Sequence, residues 1–250
     1  MTYDLKQMFR GIRAIYGEEG FAKLQNSHVM VIGTGGVGSW LAESLCRSAI
    51  GSLTLVDFDK VEQSNSNRQL HAAVNTVGLY KVDVLADRFL KINPEIKVNL
   101  IRERLTPDNI DNVLKDCPYY VCDAIDDINA KAYVDNYLFR HGVTFITAGG
   151  AGGRIDPRFL KIADVAEAKG DALIARLRNL LRQQYGFPKG GKKFGFSCTY
   201  SNEKPIYSSK EGYVSGDLPA FGASMAVTAT AGMLAASWIL RQITGINPGI

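Results

Sequence analysis

The chain of 250 residues is 46% hydrophobic and carries a formal charge of +4 at pH 7, which suits one large domain around a substantial core and excludes a disordered chain. Its four cysteines, Cys46, Cys117, Cys122 and Cys198, form no CxxC pair and no regular spacing, so neither a disulfide framework nor a paired-cysteine zinc site is expected. A reducing, cytoplasmic setting fits that usage, and the N-terminal stretch MTYDLKQMFRGIRAIYG has no apolar run of the secretory kind.

The first 150 residues alternate short β-branched runs with helical patterns. This is the signature of an α/β, Rossmann-like, mostly parallel sheet with helices on both faces. After an N-terminal helical arm at 1–26, strands are expected at His28–Ile32, Leu53–Asp57, Val98–Arg102, Tyr119–Ala124 and Thr144–Thr147. Helices are expected between them at Val37–Ser48, Lys81–Lys91, Pro107–Leu114 and Ala130–His141. Thr106 reads as an N-cap with Pro107 at the first helical position, where its missing N–H costs nothing.

These elements make 27–153 a nucleotide-binding domain, extended by an irregular C-terminal portion at 154–250 that is continuous with it. Beyond TAGGAGG, which ends at Gly153, come a strand-like RFLKIADV, a helix, a strand-like KFGFSCTYS and the uncharged stretch Leu218–Leu240. That stretch has the length of a membrane span. Its Ala, Gly, Ser and Thr content and Pro219 dilute its apolarity, so a buried packing helix is expected, with membrane contact as the second reading.

Gly33, Gly35 and Gly38 form GxGxxG directly after the first strand and at the mouth of a helix. Glycines there permit a tight turn, and the free N–H groups of the helix attract phosphate. Asp57, with Asp59 beside it, ends the second strand where an acid takes a ribose hydroxyl. A nicotinamide dinucleotide and ATP satisfy these features equally well.

Asn65, Arg68 and Lys81 follow, an amide and two cations for which three phosphates have more use than a hydride-transfer site. The fourth strand ends in CDAIDD, and an acid at the carboxyl end of a parallel strand faces the ligand crevice, so Asp126 is placed to hold Mg²⁺. Each residue also has a plainer role. Arg68 and Lys81 could be solvated charges, and Asp126 and Asp127 could cap the helix beginning near Asn129. His28, His71 and His141 show no ligand partner, and Cys122 and Cys198 read as inert core thiols.

The combination GTGGVG, VDFD, SNSNRQ, VGLYK and DAIDD resembles the ATP-binding domain shared by ubiquitin-activating enzymes and the adenylyltransferases of molybdopterin and thiamin biosynthesis. The resemblance implies ATP cradled by Gly33, Gly35, Gly36 and Gly38, its ribose on Asp57 with Asp59 alongside, its phosphates on Asn65, Arg68 and Lys81, and Mg²⁺ on Asp126. It also implies a homodimer in which Arg13 reaches the partner subunit's γ-phosphate in trans.

RAIYG, GGVGSW, NRQLHA, AGGAGGRIDP and FSCTYS are similar to the branch of tRNA threonylcarbamoyladenosine dehydratases, over nearly the whole chain. That branch implies adenylation of a threonyl carboxylate on tRNA, then cyclisation with release of AMP and pyrophosphate, and an anticodon stem-loop as partner. Arg154, Arg176, Arg178, Arg182, Lys189, Lys192 and Lys193 then become candidate tRNA contacts, with Tyr185, Phe187 and Phe194 placed to stack on unpaired bases. The segment EGYVSGDLPAFGAS departs from the branch in lacking a cysteine before the last helix. Three other readings stay open: activation of a ubiquitin-like sulfur carrier, with a sulfur-transfer protein as partner, a nicotinamide oxidoreductase, and a nucleotide-binding pseudoenzyme.

Overall fold

Short runs of aliphatic and β-branched residues build a sheet of seven strands in the computed structural model, which describes residues 3–207 and 222–247. The strands are β1 (His28–Ile32), β2 (Ser52–Val56), β3 (Lys97–Ile101), β4 (Tyr120–Asp123), β5 (Thr144–Ala148), β6 (Leu160–Asp164) and β7 (Ser197–Ser201). Their order is β3-β2-β1-β4-β5-β7-β6, parallel except for β6, which runs antiparallel to β7 at the edge. The chain winds outward from β1 to β3 and restarts on the other side of β1 with β4. That reversal opens a crevice at the carboxyl ends of β1 and β4.

The helices are α1 (Leu5–Met8), α2 (Arg10–Gln25), α3 (Gly38–Arg47), α4 (Lys81–Ile92), α5 (Ile110–Leu114), α6 (Ile128–Arg140), α7 (Ala172–Gln184) and α8 (Met225–Thr244). They cover both faces of the sheet, as the period of two along β1 requires. Val29 and Val31 enter a core with Leu41, Leu45, Phe89 and Ala235, whereas Met30 and Ile32 enter a second core with Ile110, Val134, Leu138 and Leu177.

The α8 helix is a packing element laid against α3. A side chain at Gly232 would come within 2.5 Å of the Val37 carbonyl oxygen and 2.9 Å of the Leu41 nitrogen, so the two backbones nearly touch. Among the described residues no helix is long and apolar enough to cross a membrane. Residues 218–221 of the uncharged stretch, and most of the cysteine-free segment before α8, lie outside the described residues.

One boundary is corrected. The helix expected from Pro107 begins at Ile110, because the Asn109 side-chain oxygen accepts from Thr106 N at 2.8 Å and from Thr106 Oγ1 at 3.3 Å, closing a turn first. Thr106 is therefore a turn residue and not the N-cap. In the N-terminal arm, Gly17 adopts φ 69° and ψ 176°, which breaks α2.

Candidate active site

The glycine turn is built into its surroundings through close backbone approach. Gly33 has φ +83°, and a side chain there would meet the Ala124 carbonyl oxygen at 2.9 Å. Gly33 N donates to the Val56 carbonyl and Ala124 N to the Ile32 carbonyl, so the chain leaving β1 is stitched to the ends of β2 and β4. At Gly38 a side chain would overlap the Gly33 carbonyl oxygen. At Gly36 it would press on Arg68 Cγ at 3.2 Å and on Thr228 of α8 at 3.3 Å.

Asp57 clamps this turn. Its Oδ2 accepts from Thr34 N at 2.7 Å and Thr34 Oγ1 at 2.8 Å, and its Oδ1 accepts from Asp59 N at 2.9 Å. A carboxylate offers about four lone-pair sites, so capacity for a ribose hydroxyl remains. The neighbouring Asp59 pairs with Lys81, Nζ to Oδ2 at 2.6 Å, and Lys81 is buried.

Asn65 is buried at the end of a short 3₁₀ turn and accepts from Glu62 N. Arg68 donates to the Ser64 carbonyl and Asn67 Oδ1, both at 2.9 Å, while Trp40 Nε1 donates to the Arg68 carbonyl at 3.0 Å. Trp40 lies on α3, directly after the glycine turn, and thereby ties the Arg68 loop to it.

Asp126 is exposed on the turn after β4, two residues beyond the Ala124 that abuts Gly33. The plainer capping role goes to Asp127, whose Oδ1 accepts from Asn129 N and Ala130 N at the start of α6. Among the described residues no group of three His, Cys, Asp or Glu is arranged for a metal. Mg²⁺ bound through a substrate's phosphates takes one or two protein carboxylates, and Asp126 is an exposed one.

Beneath that turn lies a network missed in the sequence reading. Lys131 Nζ donates to Asp123 Oδ2 at 2.5 Å and to Thr147 Oγ1 at 2.8 Å, and Thr147 Oγ1 donates to Asp123 Oδ2 at 2.9 Å. The other Asp123 oxygen accepts from Ile125 N at 2.9 Å, fixing the backbone that presents Asp126. Asp135, one turn after Lys131 on α6, is fully buried. Burial and then the Asp123 charge hold its pKa well above the usual carboxylate range. The available signal was two charged residues on the apolar stripe of α6, where Lys131, Val134, Asp135 and Leu138 follow an i, i+3, i+4, i+7 spacing.

The remaining titratable groups keep their plainer roles. Burial, with the Lys81 charge, lowers His71 to about 4, so its ring is neutral. Burial raises Cys46 to about 12 and pushes Cys122 and Cys198 up as well, which leaves inert thiols.

Arg13 lies elsewhere within its own chain. It pairs with Glu18, reaches the Lys6 carbonyl at 3.4 Å and sits 5.9 Å from the Phe21 ring centroid. A side chain at Gly20 on the same arm would meet Thr244, whereas one at Gly36 of the glycine turn would meet Thr228. Those positions on α8 are about 24 Å apart at ~1.5 Å per residue.

The basic stretch divides into exposed and committed cations. Arg154, expected as a tRNA contact near the crevice, is a buried tie: it is 5% exposed, donates to the Gly150, Gly170, Ser201 and Glu203 carbonyls, and pairs with Asp171 at 3.6 Å. Phe187 and Phe194 are likewise corrected, since both are buried in a cluster with Phe196 and offer no face to a base. Arg178 donates to the Val165 and Ala168 carbonyls, and Arg182 to that of Pro188. Arg176, Lys189, Lys192 and Lys193 are exposed, with Lys193 3.4 Å from Glu167.

Comparison with known proteins agrees with this architecture. The ThiF family model matches residues 8–249. The tRNA threonylcarbamoyladenosine dehydratase of Escherichia coli is 39% identical over 251 residues, spanning 95% of this chain and 94% of that protein. That of Bacillus subtilis is 38% identical over 202 residues, 81% of this chain and 77% of the relative. The crystal structure of the E. coli enzyme in complex with ATP superposes with a TM-score of 0.89 at 39% identity, covering 96% of this chain and 95% of the other.

Proposed function

The chain belongs to the ThiF family, and on that premise we propose that it is an ATP-dependent tRNA threonylcarbamoyladenosine dehydratase. The observation that carries this reading is the meeting of five segments at one crevice: the glycine turn, the Asp57 clamp on Thr34, the Asp59–Lys81 pair, Arg68 against Gly36, and the Asp126 turn against Gly33. The same dehydratase name is carried by relatives that match nearly end to end, and the E. coli enzyme has been solved with ATP and with AMP.

The chemistry follows from the leaving group. A carboxylate cannot expel oxide, so its oxygen attacks the α-phosphorus of ATP, the bond to the β-phosphate oxygen breaks, and pyrophosphate departs. In this reading Arg68 and Lys81 stabilise the negative charge that develops on the phosphate oxygens, and Asn65 orients the chain of phosphates. Mg²⁺ held on Asp126 would supply further charge neutralisation. A nucleophile within the same threonylcarbamoyl group then attacks the activated carbonyl, closes a ring and expels AMP. Both partners sit on one small substituent, so this step is intramolecular. The substrate loses one water in total.

The other assignments belong to the same reading. Residues 1–26 form an arm, 27–153 the ATP-binding unit and 154–250 the portion that meets tRNA and the second subunit of a homodimer. Its Arg13 lies at the far end of α8 from its own crevice, which suits service to the partner subunit's site. A cytoplasmic setting suits a tRNA substrate. Incubating the protein with ATP, Mg²⁺ and threonylcarbamoyl-modified tRNA should convert the modified nucleoside to a species lighter by one water, with one AMP formed per nucleoside, as read by mass analysis. Lys81→Ala and Asp126→Ala should abolish both products while leaving the fold intact. ATP turnover that never alters the nucleoside would overturn the proposal.

A further inference from the structure

A shallow groove of about 250 Å³ lies between the first turn of α6 and α7, lined by Ile128, Asn129, Arg176, Asn179 and Leu180. Its first lining residue, Ile128, stands two residues after Asp126 in the chain. Its lining is chemically selective: two aliphatic walls, two amides and one guanidinium. Arg178 and Arg182 spend their donors on backbone carbonyls. Arg176, by contrast, is exposed, and neither its guanidinium nor the Asn129 and Asn179 amides have a partner among the described residues. The helix end itself is not the anion seat, because the Asp127 carboxylate already takes the Asn129 and Ala130 N–H groups at 3.0 and 3.1 Å.

An unpaired nucleotide matches this set. A guanidinium forks onto phosphate oxygens, an amide presents both a donor and an acceptor to a base edge, and aliphatic side chains cover a base face. The volume falls below the roughly 300–1,000 Å³ of pockets that enclose a whole drug-sized ligand, which suits partial cover of one unit of a longer ligand, such as a nucleotide of an RNA strand. We infer that this groove takes the unpaired nucleotide adjoining the modified adenosine, with its phosphate on Arg176 and its base between Ile128 and Leu180, read by Asn129 and Asn179. The inference rests on the proposed tRNA substrate and names the part of it that sets specificity.

The test uses the full chain and a threonylcarbamoyl-modified anticodon stem-loop, intact or with one abasic position on either side of the modified adenosine. Arg176→Ala should weaken RNA binding about tenfold and lower the slope of log Kd against log salt by about 1. The Asn129→Ala/Asn179→Ala double variant should raise KM for the stem-loop about tenfold with little change in kcat, and should bind abasic and intact RNA equally. Lys115→Ala, which removes an exposed cation elsewhere, should move neither quantity. Binding of intact RNA by the Arg176 and double variants at parental strength, or equal binding of both abasic RNAs and intact RNA by the parent, would overturn the groove while product formation left the enzyme reading standing. Groove effects on binding with no cyclised nucleoside would overturn the enzyme reading alone.

Discussion

Replacing Lys131 with methionine removes the cation that two buried acceptors share while nearly conserving side-chain volume, so cavity formation adds little. Lys131 and Asp123 are both 0% exposed, and Nζ lies 2.5 Å from Asp123 Oδ2 and 2.8 Å from Thr147 Oγ1. Without it, the Asp123 carboxylate keeps the Thr147 hydroxyl, the Ile125 N–H and the neighbouring Asp135 carboxyl, none of them a cation, in a site water does not reach. Breaking one side of a buried pair costs about 3–5 kcal/mol, a large part of the ~5–15 kcal/mol that holds a typical domain folded. At roughly 2–4 °C per kcal/mol for a chain of this size, the midpoint should fall by about 6–20 °C in a thermal scan. Asp123→Asn added to Lys131→Met removes the stranded charge and should recover more than half of the urea-measured loss. A single variant within about 1 kcal/mol of the parent, or a double variant no more stable than the single, would show that the network is not the buried ion pair described here.

Asp135→Asn should change how stability depends on pH. The folded-state pKa of Asp135 is raised, so the folded chain keeps a proton that the unfolded chain releases above about pH 3.9. Its contribution is full below that pH and is lost as pH rises towards the folded value. The stability of the variant relative to the parent should therefore grow with pH from about 4 upward in urea unfolding, and a flat difference would refute the assignment. Arg154→Ala should cost about 3–5 kcal/mol because it strands the buried Asp171, while stem-loop affinity measured well below the melting midpoint stays at the parental value. Gly38→Ala forces a methyl group onto the Gly33 carbonyl oxygen, and should cost about 1–3 kcal/mol of stability together with a measurable loss of ATP affinity by calorimetry.

Which features could be read in advance follows from how local their causes are. The alternation along β1 and the glycine spacing after it are properties of neighbouring residues, so both the sheet and the turn were legible, with strand ends displaced by a residue or so. That Asp57 and the turn bearing Asp126 lie near the glycine turn was legible too, because the carboxyl ends of adjacent parallel strands face one crevice. The fate of a donor was not. Arg154 and Arg176 look alike in sequence, but Arg154 follows a glycine-rich loop that brings it under the Gly150, Gly170 and Ser201 carbonyls, and Arg176 faces outward from α7. The aromatic residues near the basic stretch failed for the same reason: Phe187 and Phe194 close a cluster over Phe139 and Phe196 that forms only when α6 and β7 come together.

The charged residues of α6 show how this non-local layer bears on the chemistry. Asp126, the residue proposed to hold a phosphate-bound cation, sits on the turn by which the chain leaves β4. That turn is held by the Ile125 N–H on Asp123, which Lys131 and Thr147 secure from below. Asp135 adds a fourth polar group to the same pocket without adding a charge, since two ionised carboxylates beside one ammonium would leave a net negative charge in a site closed to water. The cost of burying Lys131 is thus tied to the turn that carries Asp126, and an apolar residue at 131 would remove the support of that turn along with the burial.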